Sequence, residues 1–187
     1  MNRMKKIICV FSALLIGVTA TAVSTRAAAK KVKAAAKRVA VAAIAPLGTN
    51  TVRGTFRAWE EKSVAVSVEV TVENLKPGKH GAHIHSGGSC GDDGKAAGPH
   101  WDPNSTGKHG NPSDPATVHH AADMPNLNVD AKGNGGMKFT TTNFKLADLI
   151  GKTIVIHDNF DNYTDSPANG GSGPRIGCGV IGEKGAP

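Results

Sequence analysis

The chain has 187 residues, enough for one domain with appendages, and its 39% apolar content includes only 4% aromatics. A core must therefore be built from Val, Ile, Ala and Leu, a β-leaning mixture. The formal charge of +7 is concentrated at one end: nine of the 22 basic groups precede residue 39, leaving 13 against all 15 acidic groups, so the remainder is slightly acidic and implies no specific nucleic-acid partner.

Residues 1–22 read as a secretory signal. Arg3, Lys5 and Lys6 form a charged start, residues 7–18 an apolar middle, and Ala20-Thr21-Ala22 a small-x-small cleavage site. The apolar run is short of the roughly 20 residues that a membrane span needs. Export to a periplasm or beyond is the expectation. Removal of this segment takes Cys9 with it and leaves Cys90 and Cys178, an even pair in an oxidising compartment and hence a disulfide candidate. Residues 23–38 are Ala- and Lys-rich, a basic linker or arm able to contact anionic envelope material. The domain proper is expected over 39–187.

From residue 39 the pattern is β. Residues 39–45 and 52–59 are short apolar runs. Val64, Val66, Val68, Val70 and Val72 then alternate with smaller or polar residues, the period of a strand with one buried face. Residues 74–78 form a turn and 80–85 a strand. Residues 127–129, 138–144, 153–158 and 176–181 complete about eight strands, with a hairpin turn at 133–136. Two stretches, 86–125 and 159–174, are loops far longer than a typical connection, and such loops are usually functional when ordered. An antiparallel sandwich or barrel follows.

Seven of the eight histidines fall within residues 80–123, separated by Gly, Pro and Asn rather than in a monotonous tract. Imidazole is the commonest side-chain metal ligand near neutral pH, so a structured metal site is the reading. His83 and His85 would share one strand face about 6.6 Å apart along the chain. His100, His109, His120 with Asp123, and His157 supply further ligands.

Read together, these segments resemble the copper–zinc superoxide dismutases. The matching motifs are Gly81-Ala82-His83-Ile84-His85, Ala97-Gly98-Pro99-His100-Trp101-Asp102-Pro103 and Lys108-His109-Gly110-Asn111-Pro112. Three more are His120-Ala121-Ala122-Asp123-Met124, residues 151–157 ending in His157, and Gly173-Pro174-Arg175-Ile176-Gly177-Cys178-Gly179-Val180-Ile181. The resemblance covers residues 39–181. It implies an all-β fold, a Greek-key antiparallel eight-stranded barrel with two long functional loops. It implies one copper per subunit on His83, His85, His100 and His157, and one zinc on His100, His109, His120 and Asp123. It also implies a Cys90–Cys178 disulfide, Arg175 as the guide for an anionic substrate, His100 as a catalytic bridge, and Asp161 as a carboxylate linking ligands of both metals. The activity implied is dismutation of superoxide. Ala82, Ser86, Ala122 and Pro174 depart from the family pattern without removing a ligand; Ala82 is expected to loosen packing and Ala122 to strain the turn beside Asp123. His80 is expected to form structural hydrogen bonds and His119 to be a solvated neighbour. Monomer and homodimer both remain open.

Overall fold

The computed structural model describes residues 38–62 and 64–184. The signal segment 1–22, and all of the arm 23–38 except Arg38, lie outside the described residues. Among the described residues ten strands appear: β1 Val39–Pro46, β2 Arg53–Glu60, β3 Val66–Glu73, β4 Gly78–His80, β5 Ala82–His85, β6 Leu127–Val129, β7 Gly135–Thr141, β8 Thr153–His157, β9 Arg175–Val180 and β10 Gly182–Lys184. Every pairing is antiparallel, in the order β4-β6-β7-β3-β2-β1-β9-β8-β5. Among the described residues no helix is long and apolar enough to cross a membrane.

The two ends of that order are consecutive in the chain. β4 and β5 are one strand bent at Gly81, pairing β6 on one side of the bend and β8 on the other. The Gly81 amide donates to Asn159 O at 2.8 Å, and its carbonyl accepts from His157 N at 2.9 Å. A Cβ there would stand 2.6 Å from Ser172 Oγ, so only glycine lets the 159–174 loop pack against the bend. Likewise β10 continues β9 past Ile181: β9 pairs the end of β1 and β10 its beginning. Counted this way the ring has the eight strands expected, and because β3 neighbours β7 rather than β4, its connection is a Greek key.

The valine alternation is borne out from Val66: Val66, Val68, Val70 and Val72 are buried while Thr71 and Glu73 face solvent. Val64 is not part of the strand and is 86% exposed. Glu61 N donates to Ala65 O at 3.0 Å, which closes the β2–β3 connection and leaves Val64 near its tip. The strand expected at 138–144 starts earlier, at Gly135. The turn sits instead at 130–134, where Asp130 Oδ1 accepts from Lys132 N and Asn134 N at 2.8 and 3.0 Å and Gly133 adopts φ 81°. A Cβ on Gly135 would collide with the Asn128 carbonyl, so this pair of strands closes only over glycine. Phe144, freed from the ladder, packs into the core with Leu146, Leu149 and Trp101.

Candidate metal centre

β5 carries His83 and His85, both fully buried. β8 on one side brings His157, whose ring lies 5.0 Å from that of His83 and 5.7 Å from that of His85. On the other side the long loop returns along β5. Ser86 N donates to Pro99 O at 3.0 Å, Trp101 N to Ile84 O at 2.9 Å and Ile84 N to Ala122 O at 3.3 Å. This backbone pairing, in a stretch that propensity reads only as loop, sets His100 4.1 Å from His83 and 4.8 Å from His85, ring to ring. Ala122, expected to strain its turn, has no positive φ and is bonded on both sides. Ala82 is fully buried.

Which nitrogen each ring offers follows from its partner. A carbonyl or carboxylate can only accept, so the nitrogen facing it carries the proton and the other keeps a lone pair. His85 Nδ1 donates to Gly98 O at 2.8 Å and His157 Nδ1 to Gly173 O at 3.0 Å, leaving both Nε2 atoms free. His83 Nε2 donates to Asp161 Oδ2 at 2.7 Å, leaving Nδ1. His109 Nε2 donates to Asp161 Oδ1 at 2.8 Å, again leaving Nδ1. The freed atoms, with the Nδ1 atoms of His100 and His120 and Asp123 Oδ1, are buried without a hydrogen-bond partner. Seven orphaned ligand atoms in one interior would be costly for any protein that did not bind cations there.

They form two neighbouring groups. His83, His85, His100 and His157 bring ligand atoms within 4.8 Å of one another. In the second, Asp123 Oδ1 is met by His109 Nδ1 at 2.8 Å and by the Nδ1 atoms of His100 and His120 at 3.5 Å. His83 also falls within 4.8 Å of His100, His109 and Asp123. It has only one free nitrogen, however, whereas His120 reaches the same carboxylate oxygen. The first donor set is all nitrogen, suited to copper; the second mixes imidazole and carboxylate, suited to a tetrahedral zinc.

Asp161 touches a histidine of each group, His83 and His109. Arg175 is fixed by two carbonyls, donating from Nη1 to Gly94 O and from Nη2 to Gly98 O, each at 2.6 Å. It lines an open pocket of about 520 Å³ with His85, His100 and His157. A groove of about 600 Å³ bordered by residues 112–117 and 140–143 holds none of the histidines. Cys90 and Cys178 are bonded. His80 is held as expected, with Nδ1 3.0 Å from His157 O and Nε2 2.8 Å from Lys76 O. His119 is not solvated: it is 1% exposed, with ring nitrogens 2.6 Å from His120 O and 2.7 Å from Asp114 O, because the loop folds Gly110 onto its ring. Sequence reasoning missed Asn126, Tyr163 and Asp165. Asn126 and Tyr163 brace Asp161, and Asp165 Oδ1 accepts from His109 N at 2.7 Å. Spacing gave no signal for them, since Asn, Asp and Tyr in a loop read as turn formers.

Residues 52–181 match the family described as copper/zinc superoxide dismutase. The chain belongs to that family. It is 45% identical over 121 residues to the Cu-Zn superoxide dismutase of Pasteurella multocida, across 59% of this chain and 63% of that relative. It is 32% identical over 146 residues to the copper chaperone for superoxide dismutase of Rattus norvegicus, across 75% of this chain and 52% of the other. The crystal structure of the clock protein EA4 superposes with TM-score 0.69 at 28% identity, covering 77% of this chain and 93% of that one. The cofactors of the copper/zinc superoxide dismutase family, copper and zinc, fit the seven free ligand atoms.

The electrostatics suit cation binding. Burial, reinforced by the neighbouring imidazoles, lowers His83 well below its ordinary range, His85 to about 2 and His157 to about 4. These rings stay neutral and ready to ligate. Burial alone would raise Asp123, but contacts with His100, His109 and His120 outweigh it and hold the carboxyl well below its usual range. Burial also opposes charge on His109, yet Asp123 and Asp161 raise it to about 9, so in the metal-free protein Nδ1 carries a proton toward Asp123 and must release it to ligate a cation. In the metal-free protein these shifts act on stability in opposite directions. Below pH 6.5 the unfolded chain protonates histidines that the fold holds neutral, so stability falls as pH drops toward 4, by up to about 1.4 kcal/mol per unit for each such group. The His109 contribution is complete below pH 6.5 and is lost as pH rises through 9. The thermal midpoint of metal-free protein, followed by circular dichroism, should therefore peak near pH 6.5; a midpoint that climbs steadily down to pH 4 would contradict this placement.

Proposed function

We propose that this chain dismutes superoxide, converting two O₂⁻ and two protons to O₂ and H₂O₂. His83 Nδ1, His85 Nε2, His157 Nε2 and His100 would hold copper. His100, His109, His120 and Asp123 would hold zinc. The observation that carries the reading is the shared ring: His100 lies between the all-nitrogen group and the Asp123 group, and both contain free ligand atoms. When bound, copper supplies one-electron redox cycling, and zinc, which has none, supplies a fixed positive charge. The rest is done by the chain. Arg175 presents a rigid, partly buried guanidinium to a small anion entering the pocket. His85 and His157 keep their free nitrogens aimed inward through carbonyls that lock their tautomers. His100 Nε2, when free of copper, would hold a proton for the reduced oxygen species, the second proton entering from solvent.

The rat relative's name suggests copper delivery as a second reading, but Arg175 at the histidine pocket supports turnover, since carrying copper needs no guiding cation. A dismutation assay on copper- and zinc-loaded protein separates the two. Turnover should fall about tenfold or more in kcat/KM for Arg175→Ile, and lose much of its dependence on ionic strength. Loaded protein no faster than metal-free protein would leave only the delivery reading.

Export belongs to the same proposal, supported by the signal-like 1–22 segment and the disulfide. The basic arm 23–38 would hold the mature protein to anionic envelope material, as antioxidant defence outside the cytoplasm. Fractionation of expressing cells should find processed protein in the envelope, released by salt; a chain lacking 23–38 should be freely soluble there. Cytoplasmic, unprocessed protein would refute export, and equal retention without the arm would refute the tether.

A further inference from the structure

Asp161 is the joint between the two ligand groups, and its carboxylate is fully committed. Oδ2 accepts from His83 Nε2 at 2.7 Å, and Oδ1 from His109 Nε2 at 2.8 Å and from Tyr163 N at 2.7 Å. Yet Asp161 sits in the 159–174 loop, with no ladder to hold it. What fixes its backbone is the side chain of Asn126, which immediately precedes β6. Asn126 Oδ1 accepts from Asp161 N at 2.8 Å, and Nδ2 donates to Asp161 O at 2.9 Å. The two bonds imitate strand pairing, with one strand replaced by an amide. The Tyr163 phenol oxygen then accepts from both Asn126 N and Asn126 Nδ2, each at 2.9 Å. Tyr163 reaches this place with φ 60°, a conformation costly for a large side chain and kept only where its surroundings hold it. Asn126 is 8% exposed and its two bonds to Asp161 are buried, so a missing partner there is not easily replaced by water.

We propose that Asn126 and Tyr163 form one positioning unit that sets the Asp161 carboxylate, and through it the tautomer and aim of His83 and His109. Neither residue touches a ligand atom. They act on the zinc group, and on its coupling to the copper group, by holding a carboxylate that joins them. The inference rests on the metal assignment proposed above.

The test measures zinc affinity by competition with a chromophoric chelator, together with the visible absorption of Co(II) placed in the zinc site and the thermal midpoint of metal-free protein. Partners behind metal ligands typically change affinity 10–100-fold when removed. Asn126→Ala should weaken zinc within that range. Tyr163→Phe, which deletes one oxygen and keeps the ring, should weaken it about tenfold, so the test survives if the alanine variant folds poorly. The double variant should be no weaker than Asn126→Ala, because the two act as a unit. Both single variants should alter the Co(II) bands. Zinc affinities within twofold of the parent and unchanged Co(II) bands, even with a lower metal-free midpoint, would reduce the pair to plain structure and overturn the proposal. His109→Ala serves as the control: undiminished zinc binding there would sink the metal assignment itself.

Discussion

His157→Ala should abolish dismutation while leaving zinc in place. The ring closes the all-nitrogen group from β8 and is 5% exposed, with Nε2 free and Nδ1 bound to Gly173 O. The backbone bonds at this position survive the change: His157 N still donates to Gly81 O, and His157 O still faces His80 Nδ1. The barrel should therefore stay closed while copper loses one of four nitrogens. Loss of a partner behind a ligand already costs 10–100-fold, so loss of a ligand itself should cost more than about a hundredfold in activity. Metal analysis of the purified variant should find near-parental zinc and depleted copper. More than a tenth of parental activity in the copper- and zinc-loaded variant would remove His157 from the site.

Breaking the Cys90–Cys178 bond, by reduction or by Cys178→Ser, should act on two properties at once. The bond closes a loop of 88 residues, and chain-entropy reasoning assigns about 4–5 kcal/mol to such a closure. For a domain of this size that is roughly 10–20 °C in the thermal midpoint. Cys90 also tethers the segment whose Gly94 and Gly98 carbonyls hold Arg175. Released, that segment should let the guanidinium wander, lowering kcat/KM and flattening its ionic-strength dependence in the direction expected for Arg175→Ile. A reduced protein with parental midpoint and parental salt dependence would show that the bond serves neither end.

The ring of strands was readable because Val66, Val68, Val70 and Val72 must hide one face from water, and the six candidate ligand histidines with Asp123 stood out by residue type and motif. What could not be read was whatever depends on long-range closure. Gly135 and Gly136 look like a turn until the Asn128 and Val70 carbonyls leave no room for side chains. His119 looks like a surface neighbour until Gly110 covers it. Asn126 and Tyr163 carry no local pattern, because their partners lie 35 and 37 positions away and only the folded loop brings them together.

The bend at Gly81 has a consequence for biogenesis. His83 and His85 stand immediately past the point where the ring shuts, and their companion His157 arrives on a strand that joins only when the C-terminal part of the chain is in place. A partly synthesised or partly folded molecule thus owns scattered imidazoles but no assembled cage. Under the proposed metal assignment, a redox-active ion would find its full set of ligands only once both parts of the ring are joined, so topology alone would disfavour premature electron transfer.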